Sequence, residues 1–109
     1  MFNLNHELIE HPAATFFVRV SGDSMIAAGI FPGDILMIDK AIEARNNHIV
    51  IAILNGEFTV KRLKVADGKV FLWPENALYP PIEITETMEF QVWGVVTYAI
   101  HKITGYIAE

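Results

Sequence analysis

The chain has 109 residues, enough for one domain with a modest core. Hydrophobic residues make up 52% and charged residues 19%, which excludes a disordered chain, and no apolar run approaches the roughly 18 residues of a membrane helix. The lack of cysteine excludes disulfides and thiolate metal sites, and a formal net charge of -5 argues against independent tight binding to nucleic acid, leaving a protein partner as the easier expectation.

The start, Met1 to Glu7, has no basic n-region, so no signal peptide is expected and the location reads as cytoplasmic. Residues 1–15 are polar and mixed and read as an N-terminal arm, with one turn of helix at Asn5 to Glu10. Residues 16–109 read as the single folded domain. Its first strand is Phe16 to Val20, followed at once by Ser21-Gly22-Asp23-Ser24-Met25, where Gly22 and Asp23 permit a sharp bend. Ile26 to Ile30 predicts a short helical turn closed by Gly29, and Pro32-Gly33-Asp34 predicts a turn into a buried-type strand, Ile35 to Asp39. Lys40 to Asn47 is loop-like.

The clearest local signal follows. His48 to Leu54 and Glu57 to Val65 are two strand-like runs joined by Asn55-Gly56, a type I′ hairpin signature, and Asp67-Gly68 repeats it ahead of Lys69 to Trp73. Pro74-Glu75-Asn76 opens a loop that runs to Pro80-Pro81. Ile82 to Thr85 is a short strand, and Phe90 to Ile100 is one or two more, apolar enough to serve as an interface between copies. Many short strands with little helix predict a mostly β domain.

Two-residue turns set the register: Leu54 faces Glu57, Val50 faces Lys61, and Leu63 faces Leu72. Lys61 then projects from the middle of three strands, sharing a face with Thr59 and Leu63, with apolar residues on both sides. An apolar setting lowers a lysine's pKa from its usual value of about 10.4 toward the range of a general base. The alternative is a lysine that reaches past the sheet and keeps its charge in water, as Arg62 and Lys64 are expected to do.

Ser24 sits where a strand ends and the chain bends, so its hydroxyl is exposed and fixed in direction, as a nucleophile requires; such a serine needs a base. It can equally be a turn serine bonded to nearby backbone. Gly22-Asp23-Ser24 also resembles the Gly-Asp-Ser-Leu esterases, but no aspartate here has a histidine three residues on. The nucleophile-elbow pattern is absent. His6, His11, His48 and His101 are scattered, reading as surface or strand-edge residues rather than as members of a triad or a metal site.

Several stretches together resemble one family. Phe17 to Met25 is similar to the serine motif of the LexA/UmuD family of self-cleaving serine peptidases, Gly33-Asp34 to the Gly-Asp that follows it, and Gly56 to Leu63 to the lysine motif. Pro74-Glu75-Asn76, with Tyr79, Pro81 and Ile82, is similar to the Pro-x-Asn segment beyond. The likeness runs from about Leu4 to Tyr98, and His11-Pro12, Ala14-Thr15 and Gly22 to Ile26 resemble the UmuD branch more than LexA.

The resemblance implies a LexA C-terminal-domain-like peptidase domain of the β-clip type over residues 16–109, with Ser24 as nucleophile and neutral Lys61 as its base. It implies an oxyanion hole from backbone N–H groups of Asp23 and Ser24, with no metal and no cofactor. It also implies a homodimer that serves an error-prone translesion DNA polymerase and is triggered to cleave by a RecA–DNA filament. The alternative within the family is the self-cleavage and dimerisation domain of a LexA-like or phage-type repressor. Family members cut themselves at an Ala-Gly or Cys-Gly bond upstream of the serine. Met1 to Ala14 has no such pair, and Ala28-Gly29 lies just beyond the nucleophile, so a shortened form is expected.

Overall fold

A computed structural model of the chain describes residues 3–104; residues 1–2 of the expected arm and 105–109 of the expected domain lie outside the described residues. The elements are one short helix, α1 (Leu4–Leu8), and seven strands: β1 (Thr15–Arg19), β2 (Ile35–Asp39), β3 (Ile49–Leu54), β4 (Glu57–Ala66), β5 (Lys69–Trp73), β6 (Ile82–Glu83) and β7 (Phe90–Ile100). Their order in the sheet is β1-β2-β7-β3-β4-β5-β6, and every pairing is antiparallel. The fold is mostly β, as the sequence predicts. The helix starts one residue earlier than expected because the Asn3 side chain accepts from the N–H groups of Asn5 and His6 and caps it there.

The hairpins follow their turn chemistry. Asn55 and Gly56 both have positive φ, 49° and 83°, the combination a type I′ turn needs and glycine takes without steric cost. The register is the expected one, with Leu54 opposite Glu57, Val50 opposite Lys61 and Leu63 opposite Leu72.

β7 is a single strand that does two jobs. Phe90 to Val95 pairs with β3, and Val95 to Ile100 pairs with β2, so β7 joins two leaves and overlaps both only at Val95. The register slips near Trp93 and near Thr97; such irregularities sharpen the local twist. Between the leaves lies one core of Met25, Ile30, Leu36, Ile38 and Ile51. A second core, Val50, Ala52, Leu63, Leu72 and Val95, is covered by Ile42, Ala44, Ile82 and Ile84. Successive residues of β3 thus enter different cores, which is why His48 to Leu54 shows no polar alternation.

Gly94 permits the leaves to meet. A Cβ built there would overlap Cγ2 of the fully buried Ile38 and come within 3.3 Å of Lys40 Cγ. Gly94→Ala is expected to cost about 1–3 kcal/mol through overpacking. A thermal melt equal to that of the parent chain would mean that the two leaves can separate at Gly94 without loss.

Both ends of β2 carry a buried aspartate that binds a half-exposed histidine. His11 Nδ1 lies 2.6 Å from Asp39, and His101 Nδ1 lies 2.7 Å from Asp34. The Asp39 bond holds the His11 imidazole above its usual pKa. Burial works against ionisation of Asp39, but the bonds from His11 and from Ala41 N–H outweigh it and hold the carboxyl low. With the Lys40 N–H donating to Ala14 C=O at 2.9 Å, this pair ties the segment before β1 to the domain.

Candidate active site

The loop from Val20 to Asp34 is closed at its neck: Val20 N–H donates to Asp34 C=O and Gly33 N–H to Val20 C=O, both at 2.8 Å. Within it Met25 and Ile30 are buried in the inter-leaf core, and Ile26–Ala28 forms a single 3-10 turn ended by Gly29 at φ 83°. Ser24 is therefore next to a residue pinned by packing. It faces a groove of about 420 Å³ with Val18 to Met25 on one wall and Phe58 to Lys61 on the other. β1 and β4 are separated by three strands in the sheet, so its curl brings these walls together.

Lys61 projects from β4, which lies between β3 and β5 as the sequence predicts, but it stands where the ladder to β5 has stopped. β5 pairs with β4 only from Arg62 onward, so Glu57 to Lys61 has β3 on one side and an open edge on the other. β5 ends at Trp73 because Pro74 has no N–H to extend the ladder. Phe58, Thr59, Val60 and Lys61 all line the groove, so the groove follows this open edge rather than one face of the sheet.

The Lys61 side chain turns along that edge. Its Nζ lies 2.9 Å from Ser24 Oγ, 2.7 Å from Thr59 Oγ1 and 3.1 Å from Val60 O. All three partners are uncharged. Burial alone moves the Lys61 pKa, and it moves it down from the usual 10.5. A neutral amine has two N–H groups and one lone pair. Thr59 Oγ1 and Val60 O can accept the two hydrogens, which leaves the lone pair facing the Ser24 hydroxyl. The sequence marks Thr59 only as a residue sharing a face with Lys61.

The loop after β5 braces the serine loop from behind. Glu75 N–H donates to Ser24 C=O and Ala27 N–H to Glu75 C=O, each at 2.8 Å. Asn76 Nδ2 donates to Asp23 C=O at 2.9 Å, and Tyr79 Oη–H donates to the Asp23 carboxylate at 2.5 Å, which raises the Tyr79 pKa. Arg62 is not the solvated charge the sequence suggests. It is ion-paired with Glu75 and donates to Asn47 C=O at 2.6 Å, because the loops on either side fold back onto β4. Lys64 likewise donates to Asn47 Oδ1 at 2.7 Å. Among the described residues no histidine lines the groove, and no group of three His, Asp or Glu side chains is placed to hold a metal ion.

Comparison with known proteins bears on this arrangement. The chain matches the Peptidase S24-like family over residues 1–97. It belongs to that family. Protein SamA of Salmonella typhimurium strain LT2 is 47% identical over 100 residues, covering 92% of this chain and 69% of the relative. Protein ImpA of Escherichia coli is 43% identical over 108 residues, covering 92% of this chain and 68% of the relative. Protein MucA of Escherichia coli is 40% identical over 99 residues, covering 90% of this chain and 67% of the relative. These S24 relatives are UmuD-like, in agreement with the branch that the sequence motifs indicate. The family is one of self-cleaving serine peptidases. Among the described residues no helix is long and apolar enough to cross a membrane.

Proposed function

We propose that the protein acts in UmuD-like SOS mutagenesis and carries a Ser-Lys peptidase centre, with Ser24 as nucleophile and Lys61 as general base. The observation that carries this reading is the 2.9 Å approach of Lys61 Nζ to Ser24 Oγ, with only uncharged partners around the amine. Neutral Lys61 takes the Ser24 proton as Oγ adds to a peptide carbonyl. The ammonium then returns that proton to the departing amine, leaving an ester on Ser24. Lys61, neutral again, deprotonates the water that hydrolyses the ester. The backbone N–H groups of Asp23 and Ser24 receive the oxyanion. Membership of the S24 family and the UmuD-like relatives support the reading. The domain responsible is residues 16–109, with residues 1–15 as its arm.

In this reading the protein works in the cytoplasm as a homodimer and as an accessory subunit of an error-prone translesion polymerase. Cleavage is triggered by a RecA–DNA filament, and the net charge of -5 suits protein contacts better than direct DNA binding. The test is cleavage in trans of a longer UmuD-type substrate disabled by Ser-to-Ala substitution, followed by mass. The parent chain should cut at the Ala-Gly or Cys-Gly bond, and Ser24→Ala should give no product. Equal product from Ser24→Ala and the parent would remove Ser24 from the chemistry.

A further inference from the structure

Ser24 and Lys61 account for proton transfer and attack, but not for what aims the oxyanion donors. The Asp23–Ser24 peptide is trans, so its C=O and N–H point to opposite sides. Its carbonyl accepts from Asn76 Nδ2 at 2.9 Å and, more distantly, from Ile26 N–H at 3.4 Å. Asp23 and Ser24 line the groove and Asn76 does not. The carbonyl that Asn76 holds is therefore turned out of the groove, and the Ser24 N–H is turned into it. Among the described residues neither the Asp23 nor the Ser24 N–H donates to another protein group. Both donors stand free beside the nucleophile.

Asn76 is itself fixed. Its Oδ1 accepts from Leu78 N–H at 3.0 Å, and its C=O accepts from Tyr79 N–H at 3.1 Å, so the amide cannot rotate without breaking its own turn. One end of the side chain closes the 76–79 turn, and the other holds the peptide that precedes the nucleophile. The neighbouring bond, Glu75 N–H to Ser24 C=O, fixes the next peptide in the same way but uses backbone only.

We propose that Asn76 is a positioning residue for the oxyanion hole: by holding the Asp23 carbonyl outward it orients the Ser24 N–H toward the tetrahedral intermediate. This rests on the peptidase reading given above. Only the transition state carries the full oxyanion charge, so the effect belongs in kcat and not in substrate binding.

The experiment compares the parent chain with Asn76→Ala and Asn76→Asp. The aspartate keeps an acceptor for Leu78 N–H but sets a carboxylate oxygen against the Asp23 carbonyl. Cleavage in trans should lose about tenfold to a hundredfold in kcat, less than the roughly 10²–10³ lost when a donor is deleted outright. KM should hold. A peptide boronic acid, whose adduct on Ser24 places an oxygen in the hole, should weaken in parallel with kcat. The midpoint of the pH–rate curve, set by Lys61, should not move, whereas a collapsed groove would shift it. Unchanged kcat in both variants, or a fall in kcat with boronate affinity intact, overturns the proposal. Should the parent chain neither cleave nor take the boronate, the peptidase reading fails on its own, and the free protein decides the point. A Ser24 amide resonance that shifts in Asn76→Ala upholds the positioning role; an unaltered one rejects it.

Discussion

Replacing Lys61 by methionine is expected to abolish most cleavage while making the fold more heat-stable. Methionine fills nearly the same volume but cannot accept a proton, so cleavage in trans should fall about 10²–10⁴-fold, the usual contribution of a general base. In the parent chain the rate should rise with pH as Lys61 loses its proton and level off above its folded pKa, which burial sets below 10.5. Lys61→Met should show no such rise. The stability effect follows from the same shift. At pH values below the folded pKa the amine is charged in both states, and only the folded state bears the desolvation cost. Between the folded pKa and 10.5 the unfolded chain holds more protons, so stability climbs with pH, and above 10.5 the amine is neutral in both states. The methionine variant should therefore melt above the parent at neutral pH, by a margin that shrinks as pH approaches 10.5. A variant that melts lower at neutral pH would show that the Thr59 and Val60 bonds stabilise more than burial of the charge costs.

Leu36→Ala is expected to produce the largest loss of stability. Leu36 is fully buried between the two leaves, in the core that also holds Met25 and Ile30. Removing a buried leucine side chain costs about 2–5 kcal/mol, a large share of the roughly 5–15 kcal/mol that holds a domain of this size folded. The denaturation midpoint should drop with no change in slope. Cleavage should weaken as well, because the cavity opens beside Met25, the residue that pins Ser24 from its C-terminal side. A loss under about 1 kcal/mol would mean that the serine loop collapses into the space. In that case the pH–rate curve should shift, since the Lys61 environment would have changed.

Much of the fold is legible because short-range rules decide it. Asn55-Gly56 and Asp67-Gly68 take positive φ and set two registers without reference to the rest of the chain, so the position of Lys61 opposite Val50 follows from counting. Ile35 to Asp39 reads as a buried strand because its run of apolar residues is unbroken, and the structure returns the same bounds. The brace behind Ser24 is not legible in this way. Asn76 is 53 positions from Asp23, and Tyr79 is 56. Nothing in the local sequence marks either as a partner of the serine loop, and only their place in a family-like segment draws notice. The pairing of Arg62 is hidden for the same reason, since its partner Glu75 lies across the end of β5.

Local rules are enough for the strands, the hairpin registers and the identity of the two side chains that meet, because these depend on alternation, turn residues and recognisable motifs. Long-range packing sets the rest: β7 serves two leaves, β4 has an open edge beside Lys61, and Ser24 lies 2.9 Å from the amine. Those outcomes depend on where strands stop and how far the sheet curls. They arise from packing between residues far apart in the chain, notably Ile38 against Gly94 and Met25 against the inter-leaf core, and no local pattern encodes such contacts.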